Sequence, residues 1–478
     1  MTADNSATRF RFIAHALNGD GPFRPSVSYD GSGNPVSVSA CALVRYPRES
    51  MAKYARRCEV AFYSSPLQRA SSRFVGYLTT KPVAREVPHE LYQRMVGDID
   101  GRGSDIDTFW SGFGVNAKAR GSMLLLVDMP PSMADTSTLA QQITNRVVPF
   151  WSQVLPEDLT AYELGDDGKF TFAEFSGEFV SADKTRVPCT WRFDRVGWAA
   201  FDREKKPLDA APHGLGECPL LIFTEGGTYP HFGPFATIAD MARRLYNLDS
   251  ELDEILRSQT FSLLTMQVPD GTANEIKLTA AKTVGETIGT QNLLVHEGST
   301  PSFIAPPDGP ATVYLQRIDK MRDQIDEVGL NVASINQQES GIAMRMRFAA
   351  INGELAKFSA RIEDLETRAW ELSARWLAMD ARPTAVWPRD FNLADVVAEL
   401  QVLSDMQAAA MPPPVISEQQ RRIVSAQFGF IAGDRLDELM SAIDEPALER
   451  RPPNNVVPLS ADVNAPVRAA LVKALESA

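Results

Sequence analysis

From Ser340 to Met379 the chain reads SGIAMRMRFAAINGELAKFSARIEDLETRAWELSARWLAM. Met344, Phe348, Ile351, Leu355, Phe358, Ile362, Leu365, Ala369, Leu372, Trp376 and Met379 recur at three- and four-residue spacing, which places them along one side of a helix. The seam lasts about five heptads. At 1.5 Å rise per residue such a helix spans about 55 Å, several times the length of an average helix of about 12 residues. Its opening is basic: between Met344 and Arg361 the charged residues are Arg345, Arg347, Lys357 and Arg361 against Glu354 alone. The uncharged run Asn336, Gln337, Gln338, then Glu339 and Ser340, leads into it.

Two shorter seams precede this one. Thr237 with Asp240 resembles a capping box, and Ile238, Met241, Leu245, Leu248, Leu252 and Ile255 predict a helix ending near Leu264. After Asp308-Gly309-Pro310, the residues Ile318, Met321, Ile325, Val328, Val332 and Ile335 predict a second. Between them lie Pro269, Gly271, Gly285, Gly289, Gly298 and Pro306 among short apolar runs, the pattern of a small β-containing insert. Beyond Met379 come a Trp-Pro break in TAVWPRDF, a helix around Asp395 to Met406, a Pro412-Pro413-Pro414 linker, further helix from Ser417, and a Pro- and Asn-rich tail from Arg451. Three long seams with no matching partner in a short chain suggest burial between copies.

The first half reads differently. The first 35 residues, rich in Gly, Ser, Asn and Pro, predict an extended or poorly ordered arm. Lys53 to Pro82 predicts one or two short helices that stop before Gly76 and Pro82. GSMLLLVDMP, from Gly121, is a short apolar run closed by Asp and Pro, as in a buried strand. From Asp158 to Lys206 hairpins take over: Asp167-Gly168 sits between aromatic-rich runs, and CTWRFDRVGWAAFD turns around Arg195 to Gly197. The fold class is α+β, its first half mixed with an antiparallel part.

Totals narrow the function. At 478 residues with 44% hydrophobic content, several packed regions or an elongated subunit are expected. MTADNSATRF has no signal-peptide core and no stretch approaches bilayer length, which predicts a chain made in, and kept in, the cytoplasm or something assembled there, without a membrane partner. Cys41, Cys58, Cys189 and Cys218 lack CxxC spacing and read as reduced thiols. With 61 acidic against 48 basic residues and a net charge of -13, a general electrostatic grip on nucleic acid is not expected.

No familiar catalytic pattern completes itself. His15, His89, His213, His231 and His296 lie far apart without metal-ligand spacing. Gly165-Asp166-Asp167-Gly168-Lys169 lacks phosphate-loop spacing and lies in a hairpin pattern. GxSxG and HExxH do not occur. In DIDGRGSDID, Asp98, Asp100, Asp105 and Asp107 are a possible oxygen set for a hard cation. Arg102 takes a ligand position, however, and Phe109 stands where an EF-hand has its bidentate Glu, so a solvated Gly-Asp loop is the preferred reading. No catalytic residue, metal or cofactor is predicted.

Four separated segments resemble the portal proteins of tailed bacteriophages, most closely a branch once catalogued only as a domain of unknown function. KYARRCEVAFYSSPLQRASSRFVGYLTTKP resembles that family's early helix with its Tyr, Arg and final Lys-Pro. GDIDGRGSDIDTFWSGFGVNAKARGSMLLLVDMP resembles its D-x-x-G-x-S turn, helix, and small-residue strand ending in Val-Asp-x-Pro. HGLGECPLLIF resembles its His-x-x-Gly-x-x-Pro strand before the first stem helix. ESGIAMRMRF resembles the Ser-Gly-x-Ala that follows the tunnel-facing loop. The segments run from Lys53 to about Met379, and WPRDF with the SEQQRR helix extends the match. Two features depart from the pattern: the loop from Asn336 to Ser340 is very short, and the insert has no strong strand pattern.

The resemblance implies an α+β portal fold with an N-terminal arm (1–35), wing (36–235), first stem helix (236–264), clip (265–310), second stem helix (311–335), tunnel loop (336–341), long wing helix and return strand (342–392), helical crown (393–450) and C-terminal tail (451–478). It implies a ring, usually of twelve copies, at the portal vertex of a virion, assembled in the host cytoplasm. Double-stranded DNA would be packaged and ejected through the ring. Its partners would be the terminase large subunit, the major capsid and scaffolding proteins, and a head-tail adaptor. Asn336, Gln337, Gln338, Glu339 and Ser340 would approach the channel. Arg345 and Arg347 would meet DNA phosphates weakly or pair with acidic residues of a neighbouring copy. Arg317, Lys320, Asp323 and Glu327 would face the lumen or another copy. Two other classes stand against this reading: a helical scaffold or adaptor of a cellular assembly, expected to form only small oligomers, and a metal-dependent hydrolase using the Asp98 to Asp107 loop, expected to bind metal there.

Overall fold

An apolar strand without polar alternation needs cover on both faces, and GSMLLLVD receives it. Residues 122–128 form the middle strand of a three-stranded antiparallel sheet. Met123, Leu125 and Val127 turn into one hydrophobic cluster, while Leu124 and Leu126 turn into a second. The computed structural model describes residues 3–129, 147–180, 185–260, 263–268, 293–297, 303–304, 309–329, 341–391 and 396–428, with 440, 441 and 443. Residues 1–392 and 393–478 are separate units.

In the larger unit, α1 (Ala3–Asn18) precedes the β1–β2 hairpin (Val27–Tyr29 and Pro35–Val38), followed by α2 (Met51–Val60), α3 (Pro66–Leu78), β3 (Ala84–Glu86), α4 (Glu90–Gly97) and α5 (Ile106–Arg120). The central sheet has the order β11-β4-β5, with β4 at Ser122–Asp128, β5 at Phe150–Val154 and β11 at Leu220–Thr224. Beside it lies a five-stranded antiparallel sheet in sequence order: β6 (Leu159–Leu164), β7 (Phe170–Val180), β8 (Arg186–Asp194), β9 (Gly197–Phe201) and β10 (Pro207–Pro212). Phe170, Phe175 and Phe193 of this sheet pack with Leu124, Leu126 and Leu220. The expected hairpins form at both places: Gly165 N–H donates to Lys169 O (2.8 Å) around Asp167-Gly168, and β8 turns into β9 at Arg195-Val196.

Helices follow. α6 (Ala236–Thr260) and α7 (Gly309–Val328) flank a three-stranded sheet of β12 (Leu263–Val268), β13 (Leu293–Glu297) and β14 (Phe303–Ile304). β12 pairs with β13 in parallel and with β14 in antiparallel register. α8 (Gly341–Trp376) is 36 residues long, and β15 (Thr384–Val386) then returns to pair with β3. The second unit contains α9 (Val396–Ala408) and α10 (Pro413–Phe428).

Several expectations are corrected. The N-terminal arm is a helix over Ala3–Asn18: Phe10, Ile13, Ala14, Ala16 and Leu17 are buried, and Gly, Ser and Pro accumulate only beyond it. Arg9 ties α1 to α6 through two bonds to Asp240 (2.8 and 2.5 Å). Asp240 is therefore not a capping-box partner, and the Thr237 hydroxyl donates to Pro234 O (2.7 Å) inside the first turn. α3 continues through Gly76 and ends at Leu78, where the Thr79 hydroxyl donates to Val75 O (3.0 Å). Pro413 and Pro414 open α10 instead of forming a linker, because the first helical turn has no need of their missing amides.

The larger correction concerns the seams. Leu355, Phe358, Ile362, Leu365, Ala369 and Leu372 are buried in the chain's own core, as are Leu245 and Leu252 of α6 and Ile318, Met321 and Ile325 of α7. Phe358 packs edge-on to Phe74 and Phe223, and Trp370 lies 4.7 Å from Trp151. The sheet and α3 supply the surface that covers α8. Periodicity shows that a stripe is buried; it does not show whether the cover comes from the same copy.

Gly121 ends α5 at φ +80, and a Cβ there would stand 1.9 Å from the backbone nitrogen of Gly233. Gly168 has φ +73, and the space its Cβ would enter is open. Gly121→Ala should therefore destabilise by about 3 kcal/mol or more, combining a left-handed backbone with a backbone clash, whereas Gly168→Ala should cost only about 1 kcal/mol. Urea unfolding of both variants checks the difference.

Candidate functional site

The helix pair α6–α7 with its small sheet contains most of the described candidate residues. The two helices run antiparallel: the Tyr314 hydroxyl donates to Glu251 (2.8 Å), and Arg322 lies 3.8 Å from Asp249. The pair is fastened to the rest of its unit by polar bonds. Val44 N–H donates to Asn247 (2.9 Å), Asn247 donates to Ala42 O (3.0 Å), Lys53 lies 3.5 Å from Glu254, and the Tyr46 hydroxyl bonds Glu251.

Turning Ile318, Met321 and Ile325 inward sends the opposite side of α7 to solvent. Lys320, Asp323 and Glu327 are exposed there and Arg317 is half-buried. Asp319 and Asp326 are exposed on the same helix. The structure thus brings these four candidates onto one helix, away from its packed stripe. Asn336, Gln337, Gln338, Glu339 and Ser340 lie outside the described residues. Arg345 and Arg347 fall in the first turns of α8, and their side chains also lie outside the description.

Sequence reading missed a set of buried ion pairs, two of which meet α8 through Phe358 and Glu366. Lys118 of α5 lies 3.0 Å from Glu225, and its ammonium stands over the rings of Phe74 and Phe235 at 4.2 and 4.5 Å. Burial pushes the Glu225 carboxyl up despite the pull of Lys118. On α8 itself, Glu366 accepts from Arg85 (2.7 Å), Trp387 (2.7 Å) and Trp370 (3.3 Å). Arg120 makes two bonds to Glu157 (3.0 and 2.5 Å). The available signal was Lys118 and Arg120 at the end of an otherwise apolar helix, immediately before an apolar strand.

The acidic loop is occupied with its own backbone. Asp98 accepts from Gly103 N–H (2.7 Å), Asp100 from Arg102 and Ser104 (2.8 and 3.2 Å), and Asp105 caps α5 by accepting from Thr108 N–H (2.7 Å). That last bond holds the Asp105 carboxyl below its usual range. Asp107 pairs with Arg85 at 2.6 Å. Among the described residues no group of three or more His, Cys, Asp or Glu converges as a metal site. All four cysteines are free, with Cys41 and Cys58 sulfurs 3.5 Å apart. No described helix is long and apolar enough to cross a membrane.

No protein-family model matches the chain, and a search of the curated proteins finds no match. Among solved structures, the chain is similar to one from "Virion of native gene transfer agent (GTA) particle", with 11% identity and a TM-score of 0.38 over 84% of this chain and 96% of that one. It is similar to a chain from "Neck of empty GTA particle computed with C6 symmetry", with 11% identity and a TM-score of 0.38 over 79% and 90%. A third, from "Neck of native GTA particle computed with C12 symmetry", has 13% identity and a TM-score of 0.39 over 75% and 89%.

Asp128, the Asp of the Val-Asp-x-Pro segment, ends β4 and accepts from Met129 N–H (2.8 Å). Burial pushes its carboxyl up from 3.8 to about 6, against that bond. The folded state therefore holds a proton that the unfolded state releases, so this group's contribution to stability falls as pH rises from about 4 to about 6. Asp128→Asn should remove that pH dependence and raise stability at pH 7, as read from thermal unfolding across the range.

Proposed function

We propose that the chain is the repeating subunit of a portal ring, through which double-stranded DNA enters and leaves a tailed-phage-like particle. The observation that carries this reading is the succession of elements after β11: helix, small sheet, antiparallel helix, then a 36-residue helix running back over a mixed core. It follows the order that the four family-like segments imply. In this reading the β11-β4-β5 sheet and the five-stranded β6–β10 sheet form part of the wing, α6 and α7 the stem, β12–β14 the clip, and α9 and α10 part of the crown.

Charge supports a channel rather than a clamp. Each lysine or arginine contact to a phosphate adds a counterion-release gain and tightens binding. A chain of net charge -13 with an acid-rich outer side on α7 lets a duplex slide. Arg345 and Arg347 supply a local basic point at the channel loop, as weak phosphate contacts or as partners of acids on the next copy. The subunit has no catalytic residue and no cofactor in this reading. The terminase large subunit supplies hydrolysis and docks to the ring, the major capsid and scaffolding proteins surround it, and a head-tail adaptor later replaces the motor.

Negative-stain electron microscopy of the purified chain should give end-on views of a ring with a central hole, usually of twelve copies; fields of small compact particles would contradict the portal reading. Arg345→Ala with Arg347→Ala should lower either ring yield or packaged DNA. Measuring the two separately assigns the role, and unchanged values for both would remove it.

A further inference from the structure

Where α3, α6 and α7 meet, the surface opens into a cleft of about 350 Å³. Arg69 and Arg73 reach it from α3 and Arg322 from α7, while Asp326 is the one carboxylate among the described lining residues. Three guanidinium groups and one carboxylate face each other along this lining. Arg322 is partly balanced by Asp249 and Asp319, each 3.8 Å away. Arg69 is exposed and, among the described residues, has only the Ser64 hydroxyl oxygen at 3.4 Å. Arg73 is half-buried and makes no hydrogen bond or ion pair with any described residue.

A partly desolvated cation without an acceptor is costly, and no described carboxylate pairs with Arg69 or Arg73. Guanidinium forks match the tetrahedral oxygens of phosphate and bind them in pairs. α3 adds to this field: it begins at Pro66 on the rim, and Ser65 gives it no side-chain cap. Pro66 has no N–H to offer, so the helix end contributes through its dipole alone, which favours an anion at this rim. With Arg322 held by Asp249 and Asp319, Arg69 and Arg73 are the two guanidinium groups left to meet a phosphate. A volume of about 350 Å³ admits a group of phosphate size together with water.

We propose that this cleft is a phosphate-binding site, taking either free phosphate or a backbone phosphate of nucleic acid. The described lining residues all belong to one copy, so the site does not depend on ring formation or on the portal reading. The test is calorimetric titration of the full chain with sodium phosphate and, separately, with a short DNA duplex, both at constant ionic strength. Arg73→Gln and the Arg69→Gln/Arg73→Gln pair are compared with Arg186→Gln, a control on β8 whose side chain is 75% exposed.

Binding weakened at least about tenfold by the paired variant, with Arg186→Gln unchanged, supports the site. Phosphate binding marks the free anion as ligand; duplex binding without phosphate binding marks the nucleic-acid backbone. Arg73→Lys, which keeps the charge and loses the fork, should fall between wild type and Arg73→Gln; it supplies the answer if the paired variant does not fold. Three results would overturn the proposal: no binding of either ligand by the wild-type chain, equal losses in Arg186→Gln, or variants that change only self-association. The last would assign the cleft to a carboxylate of a second copy.

Discussion

A helix as long as α8 must be covered along its middle, and the larger unit is organised by that need. Leu355, Phe358, Ile362, Leu365, Trp370 and Leu372 are each at most 3% exposed. At about 2 kcal/mol for each large apolar side chain, their burial contributes on the order of 10 kcal/mol, similar to the net stability of a whole domain. The buried ion pairs around the helix act differently. An intact buried pair is close to neutral against an apolar replacement, but half of one costs about 3 to 5 kcal/mol. The apolar stripe therefore drives α8 onto the sheet. Arg85–Glu366 and Lys118–Glu225 penalise other registers.

This division bears on assembly. Because the described parts of all three seams are consumed inside one copy, contacts between copies in the proposed ring would fall to surfaces outside those stripes. The outer side of α7, with Asp319, Lys320, Asp323, Asp326 and Glu327, is one such surface and is strongly charged. Exposed charge pairs are individually weak and screened by salt. A ring held by many repeats of such contacts gains its cohesion from closure, since each copy meets two neighbours through the same pair of faces. That arrangement would suit the proposed channel, which has to hold together without gripping what passes through it.

Much of this fold was legible because period and punctuation agreed. The seam at Met344 to Met379 gave α8 within three residues at its end, Asp167-Gly168 gave the β6–β7 turn, and GSMLLLVD gave a strand covered on both faces. Where composition stood in for period, the reading failed: Gly and Ser after Asn18 obscured the helix that Phe10, Ile13 and Leu17 define. Burial between copies was inferred from seam length, yet a sheet assembled from distant segments provided the cover. The ion pairs were not legible, because Lys118–Glu225 and Arg85–Glu366 join residues that only the folded chain brings together. Of the candidate site, the four α7 residues could be assigned to a common helix from spacing alone, while their outward direction required knowing what Ile318, Met321 and Ile325 face.

Light scattering of the purified full chain across a range of ionic strength tests the central claim most directly. The account predicts a single species many times the 52.6 kDa subunit mass at low salt, losing mass as screening increases. A mass of one subunit at every salt concentration would contradict it.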